Sequence, residues 1–133
     1  MFDPHDPRLA ELRSRALALP EAVETVTFGR PWFRAGRVFA MYGGGTRGPA
    51  RVTHPHAVLV HVDEDERAAR MQDPRFFVPA YVGPKGWLGL DLDGPDVDLR
   101  EVEELLDASY RHAAPARLVR ALDARLAGAE EVR

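Results

Sequence analysis

The spacing of the apolar residues changes period several times along the chain, which restricts the sequence to a mixed fold of helices and strands. Behind Asp6-Pro7, an N-cap acceptor followed by a proline suited to the first helical position, apolar residues recur at helical spacing up to residue 19. Residues 21–62 instead alternate or form short apolar runs rich in β-branched side chains, which is typical of strands. Helical spacing returns after Asp98.

Glycine and proline divide the strand region into short strands. Residues 21–28 predict a first strand, ended by a Gly-Arg-Pro break. A second strand begins at Trp32 and turns at Ala35-Gly36, where glycine can adopt positive φ, into a third strand over residues 37–42. In the third strand we expect one face to carry Val38, Ala40 and Tyr42 and the other Phe39 and Met41.

Residues 43–49 are rich in glycine and predict the flexible tip of a hairpin. A phosphate-binding loop is disfavoured, because no Lys follows the glycines and the chain beyond them is extended rather than helical. His54 and His56 come next and, with His61 or Asp63, have the residue types of a metal site. Pro55 interrupts a regular strand there, so we expect two exposed histidines at a strand start and no bound metal.

Two carboxylates mark the starts of the next two helices. Asp63 and Asp98 are each followed three residues later by glutamate, as in a capping box. Between them, residues 76–94 predict a turn-rich loop and then a strand whose inner face is leucine. A last helix follows Pro115 and is expected to stop at Gly128. The apolar contacts of the helix after Asp63 are assigned to Ala68, Ala69 and Met71.

This order of elements predicts an α+β fold: a two-layer sandwich of an antiparallel sheet of about five strands with helices packed on one face. Residues 1–133 are expected to form one domain, since the chain contains no repeat and no long linker. The chain has no cysteine, which excludes disulfides and thiolate chemistry. It has no apolar stretch of membrane-spanning length and no secretory signal, so we expect no membrane contact and a cytoplasmic location.

The net charge of −3 argues against general binding of polyanions, but the charges are unevenly distributed. Between Glu24 and Asp63 there is no acidic residue. Five arginines fall in that interval: Arg30, Arg34, Arg37, Arg47 and Arg51. They either cover the sheet in contact with water or form a basic stripe that meets phosphate.

Residues with catalytic chemistry do not form a convincing group. Ser14 and Ser109 fall within predicted helices, and neither has the turn sequence of a nucleophile. Asp91 and Asp93 share a strand face, but Asp93-Gly94 is also an ordinary turn. We therefore expect a protein that is not an enzyme and that needs no cofactor.

Three segments together resemble the MmcQ/YjbR family of small bacterial proteins. They are residues 28–40, residues 81–94 with their Tyr-Val-Gly-Pro-Lys-Gly-Trp start, and residues 105–110. The resemblance implies a CyaY-like (frataxin-like) fold and DNA binding through a double-wing surface. It assigns the wings to the hairpin through Ala35-Gly36 and to the loop 81–87.

The resemblance also places basic residues on those wings, at Arg34, Arg37 and Lys85. Arg47 and Arg51 are added as candidates from charge alone. Where many members of the family carry Lys, this chain has His61. Two hypotheses follow: a DNA-binding module that uses the arginine-rich hairpin and the loop 81–87, or a protein- or small-ligand-binding domain with an apolar pocket beside that loop.

Overall fold

The helices and strands follow one another as their hydrophobic periods predict. The computed structural model describes residues 2–132, with the side chains of residues 2–129. The elements are α1 Pro7–Ala16, β1 Val23–Thr27, β2 Arg30–Ala35, β3 Arg37–Gly45, β4 Thr53–His61, α2 Glu64–Arg70, β5 Phe76–Phe77, β6 Trp87–Asp91, α3 Leu99–Ala113 and α4 Ala116–Val132.

The strands form a six-stranded antiparallel sheet in the order β1-β2-β3-β4-β6-β5. The α+β class with helices packed on the sheet is confirmed. The strand that the sequence did not predict is β5, which has only two residues and pairs Phe76 with Leu90. So short a strand carries no readable alternation of its own.

The main core lies between one face of the sheet and the helices α1 and α3. Leu9 and Leu12 of α1 and Leu105 of α3 are fully buried against sheet residues such as Leu88 and Leu90. Complete burial of one such side chain contributes about 1.5–3 kcal/mol to folding. The leucine alternation predicted for β6 is thereby confirmed.

The three predicted N-caps are also confirmed, because each aspartate accepts a hydrogen bond from a backbone N–H in the first turn of its helix. The donors are Arg8 for Asp6, Glu66 for Asp63 and Glu101 for Asp98, at 2.8–2.9 Å. Each such cap stabilises its helix by about 1 kcal/mol.

The predicted face assignment in β3 is wrong for Phe39 and Val38. The register with β2 shifts, so that Phe33 pairs with Ala40 while Arg34 pairs with Val38, and Phe39 is the extra residue of a bulge. Phe39 therefore joins the helix-side core, and Val38 packs on the opposite face.

Two expectations about the helices are also wrong. Ala68 and Ala69 are exposed, because α2 lies at the edge of the molecule and buries none of its residues. The last helix does not stop at Gly128 but continues to Val132. A glycine between two alanines costs a helix only about 1 kcal/mol, too little to end it.

Among the described residues no α-helix packs on the second face of the sheet, which we call the open face. Residues 78–86, the crossing loop, run from β5 over β6 and β4 to β3, where the Ala80 N–H donates to the Gly45 carbonyl at 2.8 Å. Beneath this loop lies a smaller cluster, formed by Met41, Leu59 and Trp87 with partly buried neighbours. In the described part of the chain, no helix is long and apolar enough to cross a membrane.

Candidate functional site

A cleft of about 910 Å³ opens on the open face, between the β1–β2 turn, the β3–β4 hairpin and the crossing loop. We call it the open-face cleft. It is lined by Phe28, Arg30, Trp32, Met41, residues 43–48, Arg51, Thr53, Leu59, residues 80–82 and Lys85.

The depth of the cleft depends on glycines in β3. A Cβ added to Gly43 would lie 2.9 Å from Nη1 of Arg30, and one added to Gly44 would lie 3.2 Å from Cδ2 of Leu59. Gly43 also has a φ of +83°, a backbone angle that residues with a side chain rarely adopt. Residues 43–45 therefore belong to a strand that bounds the cleft, and their prediction as part of a flexible tip is wrong.

The cations of the cleft lack carboxylate partners. Its lining includes Arg30, Arg47, Arg51 and Lys85, and no acidic residue within the described chain. None of the four side chains makes an ion pair or a hydrogen bond among residues 2–129. Within the described residues, the positive charge of this surface is therefore not offset by a neighbouring carboxylate.

Of the described residues, seven arginines outside the cleft form ion pairs with carboxylates, among them Arg13, Arg75 and Arg117. Arg13 contacts Glu24 at 2.6 Å, and Arg117 contacts Glu21 at 2.8 Å. The guanidinium of Arg75 lies between two carboxylates, 2.6 Å from Glu101 and 2.8 Å from Asp73, which raises its pKa above the usual value. The carboxylates of these pairs all lie outside the lining of the cleft.

Two walls of the cleft, one formed by the β1–β2 hairpin and one by the crossing loop, each carry an aromatic ring close to a cation. On one wall, the Trp32 ring lies 5.8 Å from the Phe28 ring and 5.5 Å from the guanidinium carbon of Arg34. On the other, the guanidinium carbon of Arg47 lies 5.2 Å from the Tyr81 ring. These are cation–π distances.

The structure brings three of the five predicted binding residues together in the cleft, namely Arg47, Arg51 and Lys85. Arg34 reaches the wall only through Trp32 and donates to the hydroxyl of Thr25 at 3.3 Å. Arg37 is the first residue of β3, whereas Gly45, which lines the cleft, is the last residue of the same strand. Its participation in binding stays a prediction.

Sequence reasoning counts Arg30 among the arginines of the possible basic stripe but does not assign it to the binding residues, and it misses Phe28. Both border the Gly29 turn, which the sequence indicates only as a break after the first strand. Two alternating segments separated by two residues, the second a glycine, could have indicated a hairpin with Arg30 at the start of β2.

The histidines expected to be exposed at the start of β4 have partners. His54 lies 3.1 Å from a carboxylate oxygen of Asp91 and stacks on Phe77 at 4.0 Å between ring centroids. His56 lies 2.8 Å from a carboxylate oxygen of Asp6. Both are partly buried, so the expectation of exposure is wrong.

His61, which stands where related chains are expected to carry Lys, lies beneath the crossing loop. Its ring stacks on Trp87 at 5.3 Å and meets His112 edge-on at 4.7 Å. Burial and the nearby His112 lower the pKa of His61. Within the described residues, no group of three or more potential ligands from His, Asp and Glu is arranged to hold a metal ion.

Comparisons with known proteins agree with this fold. A family model described as YjbR matches residues 17–112, a span that contains every residue of the cleft. The crystal structure of the Deinococcus radiodurans protein DR2400, described as a DUF419 domain, superposes with a TM-score of 0.55 and 23% sequence identity. The superposition covers 77% of this chain and 75% of that one. At this identity the likeness shows the fold alone. No curated protein matches the chain significantly.

Proposed function

This chain belongs to the YjbR family, and we propose that it is a nucleic-acid-binding module that receives phosphates at the open-face cleft. The observation that carries the proposal is the group of four cations that line the cleft without a carboxylate among them. We propose that it acts by binding, without a chemical step. The cytoplasmic location predicted from the sequence belongs to the same proposal, because nucleic acid is available there.

A net charge of −3 does not oppose such binding. Association depends on the local potential, and a concave surface of one sign concentrates the field. Each phosphate neutralised by a cation releases condensed counterions, so affinity must fall as salt rises. Four contacts to a single strand give a log–log salt slope of about −3.

Fluorescence anisotropy with labelled single-stranded and duplex DNA, at several salt concentrations, tests the proposal. We expect binding at low salt and its loss in a variant with Arg30→Ala, Arg47→Ala and Arg51→Ala. None of the three residues is buried in the core, so the variant should fold, as a circular dichroism melt can verify. The control is Arg100→Ala with Arg120→Ala, which removes two exposed arginines from the helix layer.

Absence of binding at low salt would contradict the proposal, as would equal affinity of the cleft variant and the wild type. A second variant, Arg34→Ala with Arg37→Ala, tests whether the hairpin through Ala35-Gly36 acts as one of the two wings. We expect it to weaken binding less than the cleft variant, because neither residue lines the cleft.

One observation favours a second candidate, a small anionic ligand. A volume of about 910 Å³ falls within the range of small-molecule sites, and the floor contributed by Met41 and Leu59 is apolar. A titration of Trp32 fluorescence in a Trp87→Phe variant distinguishes the two candidates. Affinity that rises with oligonucleotide length supports a nucleic acid, whereas affinity already complete for a mononucleotide supports a small ligand.

A further inference from the structure

We propose that the open-face cleft selects unpaired nucleotides, whose bases stack on Phe28 and Tyr81. This inference rests on the proposed binding of nucleic acid and specifies the form that is bound. It is carried by the conformation, exposure and position of these two aromatic side chains.

Phe28 lies in a turn whose backbone conformation favours asparagine at this position. β1 ends at Thr27 and β2 begins at Arg30, so Phe28 and Gly29 form a two-residue turn, with φ values of +51° and +75°. Positive φ at both positions defines a turn that prefers Asn-Gly. Phe28 is 90% exposed, and among the described residues its ring pairs with that of Trp32. Folding gains little from a phenylalanine here, so a strained, exposed ring at this place suggests a binding role.

Tyr81 repeats this combination on the wall formed by the crossing loop. Its φ is +68°, and the residue is 75% exposed. Arg47 lies against its ring, so a stacking surface and a phosphate-binding group stand side by side. A nucleotide presents the same two features, a flat base and an adjacent phosphate.

The position of the two rings favours single strands over duplexes. In a duplex both faces of each base are covered by its neighbours, whereas bases of a single strand can turn outward and stack on aromatic side chains. The rings border a concave floor rather than a flat or convex surface. Unpaired bases can enter between the walls, and the cations of the rim remain for the flanking phosphates.

Three probes of equal length separate the contributions: a single-stranded oligonucleotide, its abasic counterpart with the same phosphates, and a duplex. We expect the wild type to bind the base-bearing single strand at least about tenfold more tightly than the abasic one, since only the bases can stack on the aromatic rings. The variant Phe28→Asn with Tyr81→Asn should bind both strands equally. The variant Phe28→Tyr with Tyr81→Phe keeps both rings and should retain the preference.

Val26→Thr is the control for a general loss of exposed apolar surface, because Val26 is exposed on β1 and does not line the cleft. Wild-type protein that binds the abasic strand or the duplex as tightly as the base-bearing strand would overturn this inference and leave nucleic-acid binding in place. Failure to bind any of the three probes would overturn both. Asparagine tolerates positive φ, so the double variant should melt no lower than the wild type.

Discussion

At the scale of single residues, Asp6 shows how one side chain ties distant elements together. It caps α1, accepting from the Arg8 N–H at 2.9 Å. It also accepts from the hydroxyl of Tyr42 in β3 and lies 2.8 Å from Nδ1 of His56 in β4, although it is only 7% exposed. Burial raises the pKa of Asp6, but the hydrogen bonds from Tyr42, Arg8 and His56 lower it by a larger amount. The pKa of Asp6 therefore lies below its ordinary value of 3.8.

This network predicts a dependence of stability on pH. Because folding lowers the pKa of Asp6, its contribution is complete above the unfolded pKa and is lost as the pH falls through the folded pKa. Asn also serves as an N-cap, so Asp6→Asn removes mainly the charge-assisted bonds. We expect the free energy of unfolding at neutral pH to fall by about 1–3 kcal/mol. The difference from the wild type should shrink as the pH is lowered below 3.8.

Urea unfolding at a series of pH values measures this effect. Asp98→Asn is the matched control, since Asp98 caps α3 from an exposed position. A wild type and an Asp6→Asn variant whose stabilities stay in parallel at all pH values would contradict the prediction. The capping role of Asp6 was predictable from the Asp-Pro pair alone, whereas its bonds to β3 and β4 were not, because those partners are far away in the chain.

At the scale of elements, two glycines differ in the space that their surroundings leave for a side chain. A Cβ on Gly89 in β6 would lie 2.4 Å from the ring of Phe77. That ring cannot simply retreat, because His54 stacks on it at 4.0 Å. A Cβ on Gly128 in α4, by contrast, would meet no atom within 4 Å.

Gly89→Ala should therefore lower the free energy of unfolding by about 1–3 kcal/mol through overpacking. Gly128→Ala should raise it by up to about 1 kcal/mol, because alanine restricts the unfolded chain and favours the helix. Urea unfolding measures both variants under the same conditions. A Gly89→Ala protein as stable as the wild type would show that Phe77 is not held in place.

Element types were predictable because caps and periods are local, and element ends were less so. β3 extends through its glycines to Gly45 because it pairs with Thr53 of β4. Backbone hydrogen bonding to a neighbouring strand offsets the low strand preference of glycine. The bulge at Phe39 likewise arises from pairing with β2, and no alternation in β3 alone announces it.

At the scale of the whole molecule, charge is divided between the two layers. The segment without acids, residues 25–62, supplies most of the sheet, while the acids lie outside it and pair with arginines such as Arg13 and Arg111. The arginines of this segment divide between two places: Arg34 and Arg37 lie outside the cleft lining, and Arg30, Arg47 and Arg51 belong to it. Contact of the second group with phosphate stays a prediction.

Binding at the cleft predicts a one-sided footprint. With a single-stranded oligonucleotide at saturation, hydrogen exchange should slow at the amides of residues 43–53 and 78–85, because these segments border the cleft. The amides of α1 and α3 should exchange as in the free protein, and the variant lacking Arg30, Arg47 and Arg51 should show no change. Protection centred on the helix layer would place the binding surface elsewhere.

The fold class, the helix starts, the leucine-faced strand and the family resemblance could all be predicted from the sequence alone. Each of these features depends on residues that are close together in the chain. The position and the lining of the cleft could be known only from the tertiary structure. Residues 28–32, 43–53 and 80–85 are separate in the chain and meet because the strand order and the crossing loop bring them to one face. Strand order and register arise from contacts across the sheet, which is why Phe28 became a candidate, and Arg30 was placed in the cleft, only once the sheet was assembled.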